Sequence, residues 1–141
     1  MTPQFFWILT WFIFSASPVQ DGEIILQISG IQAQQGGNIS AGLFQEAHFP
    51  EVGKQFRGEV RPVSASKMEI YFTKIPPGAY ALAVFQDVDA DSELDANFLG
   101  LPTEPIGFSR DAKIRFGPPD FADAQINLQA GETLTIPINL K

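Results

Sequence analysis

Cysteine is missing from this 141-residue chain, and histidine occurs once, as His48. The first absence excludes disulfides, thiolate metal sites, cysteine nucleophiles and a lipid-modified N-terminal cysteine. The second leaves His48 as the one histidine for a Ser-His-Asp system, and A-H-F-P around it shows no nucleophile elbow of the G-x-S-x-G kind. A surface loop histidine is the plain reading. Basic residues are scarce too: 9 Lys and Arg stand against 16 Asp and Glu, for a net charge of −7. That balance argues against nucleic acid, which selects a basic face, and against an anionic membrane surface. It fits an exported protein or a cation binder.

What is present begins with an apolar leader, Phe5 to Phe14, followed by the small residues Ser15, Ala16 and Ser17 and then Pro18. The run is shorter than the roughly 20 residues a membrane-spanning helix needs and has the length of a signal-peptide core. No Lys or Arg precedes it. A buried first strand and an uncleaved anchor are the competing readings. The expectation is a signal peptide over residues 1–20 and a single domain over 21–141, periplasmic or secreted, with no membrane insertion after cleavage. About 120 residues suffice for one hydrophobic core, and the chain's 13 Phe, 9 of them past residue 20, fit that.

The rest reads as β. Glu23–Ile28 is apolar and branched, and Asn38–Phe44 alternates with Ile39, Ala41 and Leu43 on one face. Lys67–Phe72 sends Met68, Ile70 and Phe72 inward, and Tyr80–Phe85 is apolar on both faces, as a central strand would be. Ala124–Leu128 and Thr133–Leu140 alternate again. Period-2 runs separated by Gly, Pro, Asn and Asp predict a sandwich or barrel of about seven strands. Pro137 places the last run at a sheet edge or a bulge. Pro77-Gly78 suits a type II turn before Tyr80. A weak helical turn is expected over Phe49–Phe56. In R-F-G-P-P-D-F, Phe116 and Phe121 are expected to pin the segment to the core.

The chemistry concentrates in D-V-D-A-D-S-E-L-D, Asp87 to Asp95. Five acidic side chains in nine residues repel one another, so a hard cation, nearby arginines or solvent must offset them. Counted as an EF-hand-like loop, Asp87, Asp89 and Asp91 take positions 1, 3 and 5, Glu93 takes 7 and Asp95 takes 9. Ser92 stands where such a loop has Gly, and Phe98 where it has its bidentate Glu. The closing ligand would come from Asn97, Glu104 or another loop. The competing reading is an acidic turn neutralised by Arg110, Lys113 or Arg115, or simply solvated. Paired-carboxylate hydrolysis needs two carboxyls facing across a cleft, for which a domain this small has little room.

The run D-V-D-A-D-S-E-L-D-A-N-F-L-G-L-P, then G-F-S, then R-F-G-P-P-D-F, resembles a family of small secreted bacterial proteins known only as a domain of unknown function. The resemblance covers about Glu23 to Leu140 and implies an immunoglobulin-like or prealbumin-like β-sandwich. The chain departs from the family pattern at Gln86, where His is usual, at Ser92, where Gly is usual, and at Pro105-Ile106, where Gly-Tyr is usual. Asp89 and Asp91 replace Asn, which raises the negative charge.

The reading that results is an exported, monomeric, non-enzymatic all-β sandwich. Its acidic loop takes Ca²⁺ on Asp87, Asp89, Asp91 and Asp95, with the Glu93 carbonyl and Asn97 completing the shell. Its partner would be a protein or envelope polymer, not nucleic acid. An ion-free structural or adhesive module and, less well supported, a small hydrolase are the alternatives.

Overall fold

The computed structural model describes residues 12–94 and 102–141. Among them eight strands follow one another: β1 (Gly22–Ser29), β2 (Asn38–Phe44), β3 (Arg57–Pro62), β4 (Met68–Ile75), β5 (Gly78–Asp87), β6 (Ile106–Phe108), β7 (Ile126–Leu128) and β8 (Thr133–Asn139). One short helical turn, α1 (Phe121–Ala124), precedes β7. The chain is all-β, and its strands form two sheets. One sheet has the order β4-β1-β8. The other has the order β3-β2-β5-β6, with β7 pairing β5 beside that path.

The alternating runs became strands because each has one apolar face to bury. Ile24, Leu26 and Ile28 of β1, Ile70 and Phe72 of β4, and Ile136 and Ile138 of β8 meet Ile39, Ala41 and Leu43 of β2 and Leu82 and Val84 of β5 in one core. That is the two-layer arrangement of a sandwich. Two strands were not legible. R-G-E-V-R-P in β3 is almost wholly exposed and pairs through its backbone with β2 alone, at the sheet edge. β6 has three residues, and its register with β5 runs Ala83↔Phe108 to Phe85↔Ile106. The expected helical turn at Phe49–Phe56 is absent; a 3₁₀ turn forms earlier, over Glu46–His48. Ala124 belongs to α1 and not to the strand after it.

Pro137 sits where its missing N–H costs least. β8 is an edge strand that runs parallel to β1, with Pro137 opposite Gln27. The Pro76-Pro77 link carries the chain from β4 in one sheet to β5 in the other. It is not the expected type II turn, because Gly78 does not take a positive φ; Lys74 does, at 55°. The corner is fixed by the Tyr80 hydroxyl, which donates to the Pro76 carbonyl at 2.7 Å.

One side of the sandwich is closed by backbone. Ile106 N–H donates to the Lys141 carbonyl at 3.1 Å, and Lys141 N–H returns a bond to Ile106 at 3.0 Å. Gly107 permits this approach, since a Cβ there would lie 2.7 Å from Ile138 Cγ2 and 2.8 Å from the Asn139 carbonyl.

Of the leader, residues 1–11 lie outside the described residues. Residues 12–20 form no strand, and Phe12, Ile13 and Phe14 stand in solvent. Among the described residues, no helix is long and apolar enough to cross a membrane.

Candidate metal centre

The acidic loop grows out of the end of β5, the central strand of its sheet. Two buried groups anchor that end. Gln86 is fully buried, and its amide is spent on the loop after β1: Oε1 accepts from Gln32 N–H at 2.9 Å, and Nε2 donates to the carbonyls of Gln32 at 2.9 Å and Gly36 at 2.8 Å. Gly37, at φ 77°, lets that loop lie directly on the strand end. A Cβ there would sit 2.1 Å from the Asp87 carbonyl.

Asp87 is itself buried, at 3% exposure, and its carboxylate organises the loop. Oδ1 accepts from Asp91 N–H at 3.1 Å and Oδ2 from Ser92 N–H at 2.8 Å. Asp89 Oδ1 also accepts from Asp91 N–H, at 3.3 Å, and Asp91 Oδ1 accepts from Glu93 N–H at 2.8 Å. Two left-handed residues, Ala90 at φ 57° and Ser92 at φ 66°, turn the chain tightly enough for this. The position where a calcium loop has glycine therefore takes the glycine conformation while carrying serine, at a cost of about 1–2 kcal/mol.

Asp87, Asp89 and Asp91 each bring one carboxylate oxygen within 4.8 Å of the other two. Oxygens around one Ca²⁺ lie about 2.3–2.6 Å from it, so none is more than about 5 Å from another. The three aspartates meet that spacing. A carboxylate has about four lone-pair sites, so the backbone bonds leave acceptor capacity on each. Glu93 is exposed at the edge of the loop. Asp95 and Asn97, the other two expected ligands, lie outside the described residues. Glu104 is buried, and its Oε1 accepts from Val88 N–H at 2.9 Å, closing the loop base.

Among the described residues, none of the three basic residues that could neutralise the loop forms an ion pair with it. Lys113 pairs with Asp111 at 3.3 Å, and Asp111 also pairs with Lys141 at 2.8 Å. Those two ammonium groups, Lys141 first, hold the Asp111 carboxyl below its ordinary value. Arg110 donates to the Ala122 carbonyl at 3.3 Å. Arg115 lies at the mouth of a cavity over the outer sheet face.

A family model described as an uncharacterized protein conserved in bacteria (DUF2141) matches residues 26–136. The chain belongs to that family. No curated protein and no solved structure matches it. In this DUF2141 member the match begins inside β1 and ends inside β8, so it takes in the anchors and the acidic loop together.

Of the G-F-S and R-F-G-P-P-D-F segments, Ser109 and Phe121 pack inward and Phe116 does not. Ser109 of G-F-S is fully buried; its hydroxyl accepts from Leu82 N–H at 2.9 Å and donates to the Ala124 carbonyl. Phe121 packs as expected, 6.0 Å from Phe49, which also meets Phe44 at 5.8 Å and Phe108 at 6.0 Å. Phe116 does not pin the segment to the core; its side chain is fully exposed. His48 is exposed on its 3₁₀ turn.

Proposed function

We propose that this DUF2141 member is an exported, non-enzymatic binding module whose acidic loop takes Ca²⁺. The observation that carries the reading is the convergence of the Asp87, Asp89 and Asp91 carboxylates within 4.8 Å on a buried, anchored base. The ion would order the connection between β5 and β6 by offsetting the repulsion among its carboxylates. Asp87, Asp89 and Asp91 supply side-chain oxygens, with Asp95, the Glu93 carbonyl and Asn97 as the remaining ligands. The ordered surface would meet a protein or an envelope polymer. Export to the periplasm or beyond is supported by the apolar leader and by the exposure of Phe12, Ile13 and Phe14, which contribute nothing to the core. An immunoglobulin-like or prealbumin-like class is supported by the sheet-to-sheet corner at Tyr80, whose hydroxyl bonds four residues back.

The ion-free reading has one observation in its favour: two backbone N–H groups already sit on Asp87. A thermal melt separates the two. Extracellular calcium modules bind at about 10⁻⁴ to 10⁻³ M, so about 10 mM Ca²⁺ is expected to raise the midpoint by roughly 5 °C or more. Mg²⁺ at the same concentration should do less. Asp89→Ala, which removes the side-chain oxygen that Asn would keep, should abolish the shift. A midpoint indifferent to Ca²⁺, or a shift that survives Asp89→Ala, would sink the calcium assignment.

A further inference from the structure

We infer that the outer face of the β2-β5-β6 sheet carries a second site, a pocket for a small amphipathic anion with an apolar or aromatic body and a carboxylate head. Alternation along β2 and β5 sends Ile39, Ala41, Leu43, Leu82 and Val84 into the central core. The intervening positions face the other way, where a sandwich strand ordinarily presents polar side chains to water. Here that pattern is broken: the outward set includes Phe44, Ala83 and Phe85, and β6 adds Ile106 and Phe108. Over them lies a cavity of about 500 Å³. Small-molecule sites span about 300–1,000 Å³, are mostly apolar and hold a few polar groups that fix orientation.

The polar group that selects the ligand is Arg115. It is the one charged side chain among the described lining residues, and it forms no ion pair among the described residues. In a chain of net charge −7, an anion is drawn to a guanidinium with which no described carboxylate pairs. Guanidinium presents a planar fork that matches a carboxylate in two parallel bonds. Beside it at the mouth stands Phe116, at 109% exposure, followed in the lining by Gly117 and Pro118. A large aromatic left wholly in water at the rim of an apolar cavity gains area when a ligand body slides beneath it. This site shares no ligand residue with the acidic loop and stands whether or not that loop binds an ion.

The test is fluorescence titration of the full chain with anilinonaphthalene sulfonate, an aromatic body with an anionic head, followed by displacement with decanoate and with its uncharged methyl ester. Circular dichroism melts run alongside confirm that each variant is folded. The expected result is saturable binding, with decanoate displacing the dye better than the ester. Arg115→Gln, at an exposed side chain, should weaken decanoate about fivefold and erase its advantage over the ester, the size expected of one solvent-facing ion pair. Ser40→Leu, which fills the pocket from β2, should remove saturable binding while the melt stays cooperative. Should that variant fail to melt cooperatively, Arg115→Gln decides alone. Absence of saturable binding, or binding that either folded variant leaves unchanged, overturns the assignment and places the dye on other apolar surface such as Phe12 to Phe14.

Discussion

Gln86 shows how a single side chain can position a site without touching it. Its three hydrogen bonds reach groups 50 and 54 residues away, and all three partners are backbone. Leucine has nearly the same volume and none of the bonds. Gln86→Leu is expected to cost about 2–4 kcal/mol, since it removes three part-buried hydrogen bonds worth about 1 kcal/mol each. Chemical denaturation at neutral pH measures it, and a loss under 1 kcal/mol would mean that water replaces the amide there. The alternation of Asp87, Asp89 and Asp91 made their convergence legible in the sequence, because local bonding dictates a tight acidic turn. The roles of Gln86, Glu104 and Ser109 were not legible. Their partners are distant in the chain, and only folding brings them near.

At the scale of elements, the link between β4 and β5 is the joint between the sheets. Burial pushes the Tyr80 hydroxyl above its ordinary value, with Arg57 pulling partly the other way. A raised folded value means that the neutral form is favoured in the fold. Its stabilising effect is therefore fully present below about pH 10, the unfolded value, and is lost as pH rises through the higher folded one. Ionised Tyr80 would also lose the proton it donates to Pro76. Wild-type stability is thus expected to fall as pH rises above about 10, and Tyr80→Phe should flatten that fall while lowering stability at pH 7 by about 1 kcal/mol. Equal alkaline slopes in the two proteins would show that another group governs the loss. Exposed Tyr71, raised by its hydrogen bond to Glu69, is present in both and cancels.

At the scale of the whole molecule, the last strand closes what the first begins. β8 lies parallel to β1, and Ile136, Ile138 and Leu140 all enter the common core. Deleting residues 133–141 would uncover one side of β1 and remove the Lys141 bonds that tie β6 across the sheets. The truncated chain is expected to lose its cooperative thermal transition and its near-ultraviolet circular dichroism. A cooperative melt within a few degrees of the full chain would show that β8 is an accessory strand.

By itself the sequence determined six of the strands, the edge position of Pro137, the acidic turn and the family resemblance. All of these follow from local alternation, fixed backbone preferences or short-range charge. Tertiary structure alone decided that β3 would pair at all, since its exposed R-G-E-V-R-P has no apolar face to announce it. It also decided that Ser92 would take a glycine conformation, because buried Asp87 accepts its N–H. And it decided that Phe116 would stand at the mouth of a pocket and not in the core. Each outcome depends on which distant surfaces meet, and a sequence pattern carries no record of that until the sheets have packed.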